Sequence, residues 1–181
     1  LANPNVGIAV GIASSICSFN LDDIISNTIN IIRKEPTFAM YPDFLTGGAV
    51  IRDESVVESV KNKGVGSFKL QAKWYIEGNS IFVTEIPYTT TREAIIESVI
   101  SLSKSEKVKG ILDINDNTGV EGLEIEIELG KNIDARNMMN LLLHHTPLQS
   151  RFNCNFTVLL NNKPVTLGTD DIIKNWLIFR K

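Results

Sequence analysis

The chain has little cysteine and little histidine. Its two cysteines, Cys17 and Cys154, are too few in 181 residues for a disulfide framework, so the expectation is a pair of reduced thiols of the cytosolic kind. The two histidines are adjacent, at His144 and His145, and neighbouring positions on a helix point in different directions. With no Cys or carboxylate at ligand spacing around them, no metal is expected. No apolar run approaches the ~20 residues that cross a bilayer, so no membrane partner is expected, and the first residues lack the charged-then-apolar order of a secretory leader. Positive charge is not in excess either. Eighteen Lys and Arg against 21 Asp and Glu leave a net charge of -3, and any nucleic-acid binding has to come from a local basic patch.

What is present is an ordinary soluble composition, 43% hydrophobic and 22% charged, able to bury a core in one domain with at most a small extension. The chain opens on Leu1 rather than Met and ends on Arg180-Lys181 inside a helical pattern. That is expected of a piece of something longer.

Periodicity and punctuation sketch the elements. Asn20 is a good N-cap for a helix over 21–34, with Asp22 and Asp23 in its first turn and Arg33-Lys34 in its last before Pro36. "YPDFLTGGAVI" reads as a loop into a short strand, and residues 52–63 as a short helix ended by Gly64. Residues 67–75 alternate, with Phe68, Leu70, Ala72 and Trp74 on one face and Lys69, Gln71, Lys73 and Tyr75 on the other. "IEGN" turns the chain into a partner strand over 80–86. Thr90 with Glu93 suggests a capping box for a helix to about 103. Strands are expected at 111–114 and 123–129, a helix capped by Asp134 through 143, a strand at 156–160, a turn at "NNKPV", and a final helix from Thr169. The order of elements suggests an α+β fold with a mostly antiparallel sheet flanked by helices.

Few residues offer chemistry. Glu124, Glu126 and Glu128 share one strand face, which reads best as a solvated face. "GGAVI" and "GVG" fit no phosphate loop, and no serine or cysteine has a nucleophile's context. Between Ser59 and Ile76 stand Lys61, Lys63, Lys69 and Lys73 with no acidic residue. Lys69 and Lys73, four rises or ~13 Å apart on one strand, can follow a phosphate backbone or serve as solvated edge lysines. One oddity remains in "GIAVGIASSICSFNL": Ile16 is a single large apolar side chain in an expected small polar turn.

That stretch, with "PDFLTGG", "GVGSFKLQAKW", "EIPYTTTREAIIESVISL" and "TPLQSRFNCNFTVLLNNKP", occurs in the order found in the A subunits of bacterial type IIA topoisomerases, those of DNA gyrase and topoisomerase IV. The chain resembles that family over essentially its whole length. It is similar to the segment called the tower domain, over 1–168, followed at 169–181 by the start of a long coiled-coil arm. The resemblance implies that Ile16 is the wedge inserted between base pairs of the gate DNA segment. It implies DNA contacts at Lys69, Lys73, Arg92 and Asn20. There are departures. Cys17-Ser18-Phe19-Asn20 stands where many members read Pro-Pro-His-Asn, and Gln71 where an arginine is common.

The family's catalytic tyrosine, directly preceded by arginine, is missing. Tyr41 follows Met40, Tyr75 follows Trp74 and Tyr88 follows Pro87. The implied whole is an ATP-dependent enzyme of two A and two B subunits that changes DNA supercoiling. Its Mg2+ and ATP come through the B subunit, which is one partner beside double-stranded DNA; another is a second A subunit. It is cytoplasmic and nucleoid-associated. This segment is expected to bind and bend DNA, to hold no catalytic residue and no cofactor, and to cleave nothing alone. A stand-alone DNA-bending module and a small α/β enzyme using His144-His145 remain as alternatives, and gyrase against topoisomerase IV stays open.

Overall fold

Helix ends are where these expectations meet the three-dimensional structure first. The structure, a computed structural model, describes residues 1–105 and 108–180. Asn20 caps α1 (Leu21–Arg33), its side chain accepting from the Asp22 N–H at 2.9 Å, and the helix stops where Lys34 turns left-handed at φ 61°. Asp53 caps α2 (Glu54–Lys63) and Gly64 ends it. The Thr90 capping box is displaced by one residue: Thr91 is the cap of α3 (Arg92–Lys104), accepting from the Ala94 N–H at 3.2 Å. Asp134 caps α4 (Ala135–His145) as expected, and α5 (Thr169–Arg180) carries Asp170 and Asp171 in its first turn.

The strands confirm an α+β fold. β1 (Asn5–Ala9), β2 (Ile12–Ile16), β3 (Ala49–Val50), β4 (Val65–Gln71) and β9 (Gln149–Asn155) form one sheet in the order β1-β2-β9-β4-β3. β5 (Lys73–Glu77), β6 (Ser80–Glu85), β7 (Ile111–Asp116) and β8 (Ile125–Leu129) form an antiparallel sheet in the order β5-β6-β8-β7. β10 (Thr157–Leu160) and β11 (Lys163–Thr166) make a separate hairpin around Asn161 and Asn162, both at positive φ.

Two expectations need correction. The alternating run 67–75 is not one strand. It breaks at Ala72, whose N–H donates to Leu148 O at 2.8 Å, so Lys69 lies on β4 and Lys73 on β5, in different sheets. The alternation misled because Phe68, Leu70 and Ala72 are all buried, so the inward-facing pattern runs on across a change of sheet. The segment around Ile16 is not a turn either. Asn5–Ala9 and Ile12–Ile16 pair in register, Ile16 opposite Asn5, around a tight turn at Val10-Gly11 that Gly11 permits at φ 76°. β9 and β11 also form where no strand was expected.

The chain folds as two compact units. The first comprises residues 1–44, 50–68 and 152–181, the second residues 45–49 and 69–151. In the first unit, α5 packs on α1 and α2. Its core includes Val57, Val60 and Ile173, the rings of Phe19 and Phe156 edge to face at 6.1 Å, and those of Phe44 and Phe152 at 5.2 Å. In the second, Ile81 and Val83 of β6 and Ile125 and Ile127 of β8 bury one sheet face against Val99 of α3 and Leu142 of α4. Each such side chain contributes ~1.5–3 kcal/mol by leaving water.

Candidate nucleic-acid interface

Ile16 closes β2 in the first unit and is half-buried. It shares a strand face with Ile12 and Ser14, and lines an open groove of about 560 Å³ with Thr157, Leu159 and Pro164 of the β10–β11 hairpin. Ile16 is therefore partly covered by its own unit. Other apolar side chains of the β1–β2 hairpin stand further out, Ile8 at 87% and Val10 at 104% exposure. A β-branched side chain at a strand end has few rotamers to lose, so the groove holds it in a defined direction.

The backbone on both sides of Ile16 is anchored. Downstream, Cys17 is fully buried, with the Cys154 thiol donating to its sulfur at 3.7 Å. Burial, reinforced by that neighbour, pushes the Cys17 thiol far above its ordinary value, so it stays protonated. Buried Ser18 donates to Asp43 O at 2.5 Å and accepts from the Asp43 N–H at 2.8 Å. Upstream, β2 meets β9 at the single pair Ser15–Asn155. Side chains complete that junction: Ser14 Oγ donates to Thr157 O at 2.8 Å, and Asn155 Nδ2 donates to Ala13 O at 2.9 Å.

Asn20 also belongs to the first unit. Its Oδ1 is committed to the α1 cap, and its Nδ2 reaches Asp43 Oδ2 at 3.5 Å.

The remaining candidates lie in the second unit. Lys69 is exposed and makes no ion pair among the described residues. Lys73 is held by Glu85, at 3.0 and 2.9 Å from its two oxygens, and the Glu85 carboxylate also accepts the Gly48 N–H at 2.6 Å. Lys73, with the Gly48 amide, holds the Glu85 carboxyl below its usual value. Gly47 takes the left-handed φ of 73° that favours glycine, and a Cβ there would push the Glu85 carboxylate aside. Arg92 is matched by two carboxylates, Glu93 at 3.0 Å and Asp116 at 3.2 Å. Thr118 binds Asp116 and holds its carboxyl below the usual range, with a smaller contribution from Arg92.

The other sequence candidates sort simply. His144 and His145 are exposed in the last turn of α4. No group of three or more His, Cys, Asp or Glu is placed to hold a metal ion among the described residues. Glu124, Glu126 and Glu128 lie on the sheet face opposite the core. There Ser80 donates to Glu126 at 2.8 Å, and Tyr75, stacked on Phe82 at 5.0 Å, donates to Glu124 at 3.4 Å. That face repels phosphate. Sequence reasoning missed Ser14, Thr157 and Asn155, because hydrogen bonds across more than 140 positions leave no local trace.

Comparison with known proteins matches residues 1–181 to the family model for the A subunit of DNA gyrase/topoisomerase IV. The chain is 32% identical to the DNA gyrase A subunit of Borreliella burgdorferi, over all of this chain and 24% of that protein. It is 32% identical to the DNA gyrase A subunit of Clostridium acetobutylicum, over all of this chain and 23% of that protein. It is 31% identical to the DNA topoisomerase 4 A subunit of Synechocystis, over all of this chain and 22% of that protein. The chain thus spans about a quarter of the length of these curated relatives.

Proposed function

The chain belongs to the family of DNA gyrase/topoisomerase IV A subunits, and on that premise we propose that this segment binds double-stranded DNA and bends it by inserting Ile16 into a base step. It does so within an A subunit that works with B subunits plus a second A subunit. Together they form an ATP-dependent type II topoisomerase on nucleoid DNA in the cytoplasm. The observation that carries the reading is the anchoring of Ile16. It is a stiff apolar side chain whose backbone is fixed upstream by Ser14 and Asn155 and downstream by buried Cys17 and Ser18.

Opening a base step costs a few kcal/mol, offset by the protein surface that bent DNA reaches. A wedge already held in position loses little further freedom on insertion. Lys69 reaches a phosphate without giving up an ion pair. Lys73 and Arg92 must first exchange Glu85 and Asp116 for phosphate, which favours contact only where the duplex is drawn close. This segment supplies no nucleophile, since none of its tyrosines follows an arginine. ATP and Mg2+ chemistry is assigned to the B subunit, and no step here runs through either.

The test uses a duplex carrying a fluorophore at each end, bound by the full-length A and B subunits. Ile16→Ala should lose most of the wild-type bend while the dissociation constant changes by less than about tenfold, or ~1.4 kcal/mol. Wild-type bending by the variant would return Ile16 to a packing role.

A further inference from the structure

The geometry points to Asn155 as a positioning residue for the Ile16 wedge, acting through β2 rather than touching DNA. This inference rests on the wedge reading above. β2 is the strand that ends in Ile16, and its register with β9 consists of one pair, Ser15 opposite Asn155. A single pair leaves a two-stranded hairpin free to swing about that point, because one ladder step fixes neither twist nor tilt.

The Asn155 side chain adds the missing constraint. Its Nδ2 donates to Ala13 O at 2.9 Å, two residues upstream of the paired Ser15. Its Oδ1 accepts from Thr157 Oγ1 at 3.0 Å and from Thr166 Oγ1 at 3.5 Å, and those two hydroxyls lie 3.1 Å apart. The chemistry fixes which way the amide faces, since a carbonyl at Ala13 can only accept. Asn155 therefore ties β2 to both strands of the β10–β11 hairpin. Thr157, which binds Asn155, also lines the groove that covers one side of Ile16. A second bond, Ser14 Oγ to Thr157 O at 2.8 Å, pulls in the same direction. The distance between base-pair wedge and groove wall is thus set by the Asn155 amide together with the Ser14 hydroxyl, and only the amide reaches both strands of the β10–β11 hairpin.

The experiment is a double-substitution cycle on bending of the end-labelled duplex by the full-length A and B subunits. Asn155→Asp is nearly isosteric, keeps an acceptor for Thr157 and loses the donor to Ala13. It should reduce the bend to the level of Ile16→Ala, with the dissociation constant within about threefold of wild type and only a small fall in melting temperature from the lost bond. Adding Asn155→Asp to Ile16→Ala should reduce bending no further, because both act through one side chain. Thr166→Val, which removes the 3.5 Å contact to Asn155 and the 3.1 Å contact to Thr157 but leaves the bond from Asn155 to Ala13, should bend like wild type.

Wild-type bending by Asn155→Asp, beside a deficient Ile16→Ala, overturns this inference and leaves the wedge standing. Further loss of bending in the double variant also overturns it, since Asn155 would then act independently of Ile16. Wild-type bending by Ile16→Ala overturns the wedge reading and this inference together.

Discussion

Apart from residues 45–49, the second unit is drawn from one uninterrupted stretch, 69–151, whereas the first is assembled from 1–44, 50–68 and 152–181. The second unit's sheet is built by neighbours in sequence or nearly so, β5 with β6 and β7 with β8. In the first, Ser14 finds Thr157 and Cys17 finds Cys154. Contacts of such sequence separation need most of the chain in place before they form. The difference matters for function because the proposed wedge stands in the non-local unit, where its position depends on residues far away in the chain. The cationic candidates Lys69, Lys73 and Arg92 stand in the second unit, Lys73 and Arg92 paired with carboxylates 12 and 24 positions along the same stretch.

The largest effect expected from this contrast is on stability. Phe156 is fully buried and its ring meets Phe19 of the first stretch, so Phe156→Ala should cost ~3–5 kcal/mol by urea denaturation. Hydrogen exchange should then show α1 amides losing protection while those of β8 keep theirs. Equal loss in β8 would break the comparison. A smaller effect concerns charge: Lys73→Ala should flatten the salt dependence of DNA binding by about one unit of log–log slope. An unchanged slope would mean that Lys73 stays with Glu85.

The smallest effect tests that pair alone. The Glu85 carboxyl lies below its usual 4.5 in the folded state, so the unfolded chain takes up its proton first as pH falls. Its contribution is therefore complete above pH 4.5 and disappears as pH drops through the lower folded-state value. The pair is largely solvated, so Glu85→Gln should lose at most ~1 kcal/mol at about pH 7 and nothing at strongly acid pH. A loss that persists in acid would assign the role to shape rather than charge.

How far the fold was legible follows the same division. The caps Asn20 and Asp134 were readable, because each acts within two or three residues, whereas Asp53 was read as part of its helix and Thr90 stood one residue before the true cap. The alternation of 123–129 identified the buried face of β8. The alternation of 67–75 identified the buried side chains, yet hid the passage from β4 to β5, since period-two burial says nothing about which sheet a strand joins. β9 was missed because "QSRFNCN" is polar on its outer face and gains its place from β2, more than 130 residues upstream. Ile16 stood out as an anomaly from its neighbours and acquired a role through resemblance. Its half-buried setting and its tie to Asn155 required the structure.

The central claim is that one particular side chain opens a base step. The most direct measurement places the fluorescent base analogue 2-aminopurine at successive positions along a duplex bound by the full-length A and B subunits, since its emission rises when it loses its stacking neighbour. The account predicts a position at which wild type raises the emission, Ile16→Ala does not, and Val10→Ser, altered at the most exposed apolar position of the same hairpin, behaves as wild type. A rise retained by Ile16→Ala and lost in Val10→Ser would contradict it, moving the wedge from the strand end to the hairpin tip.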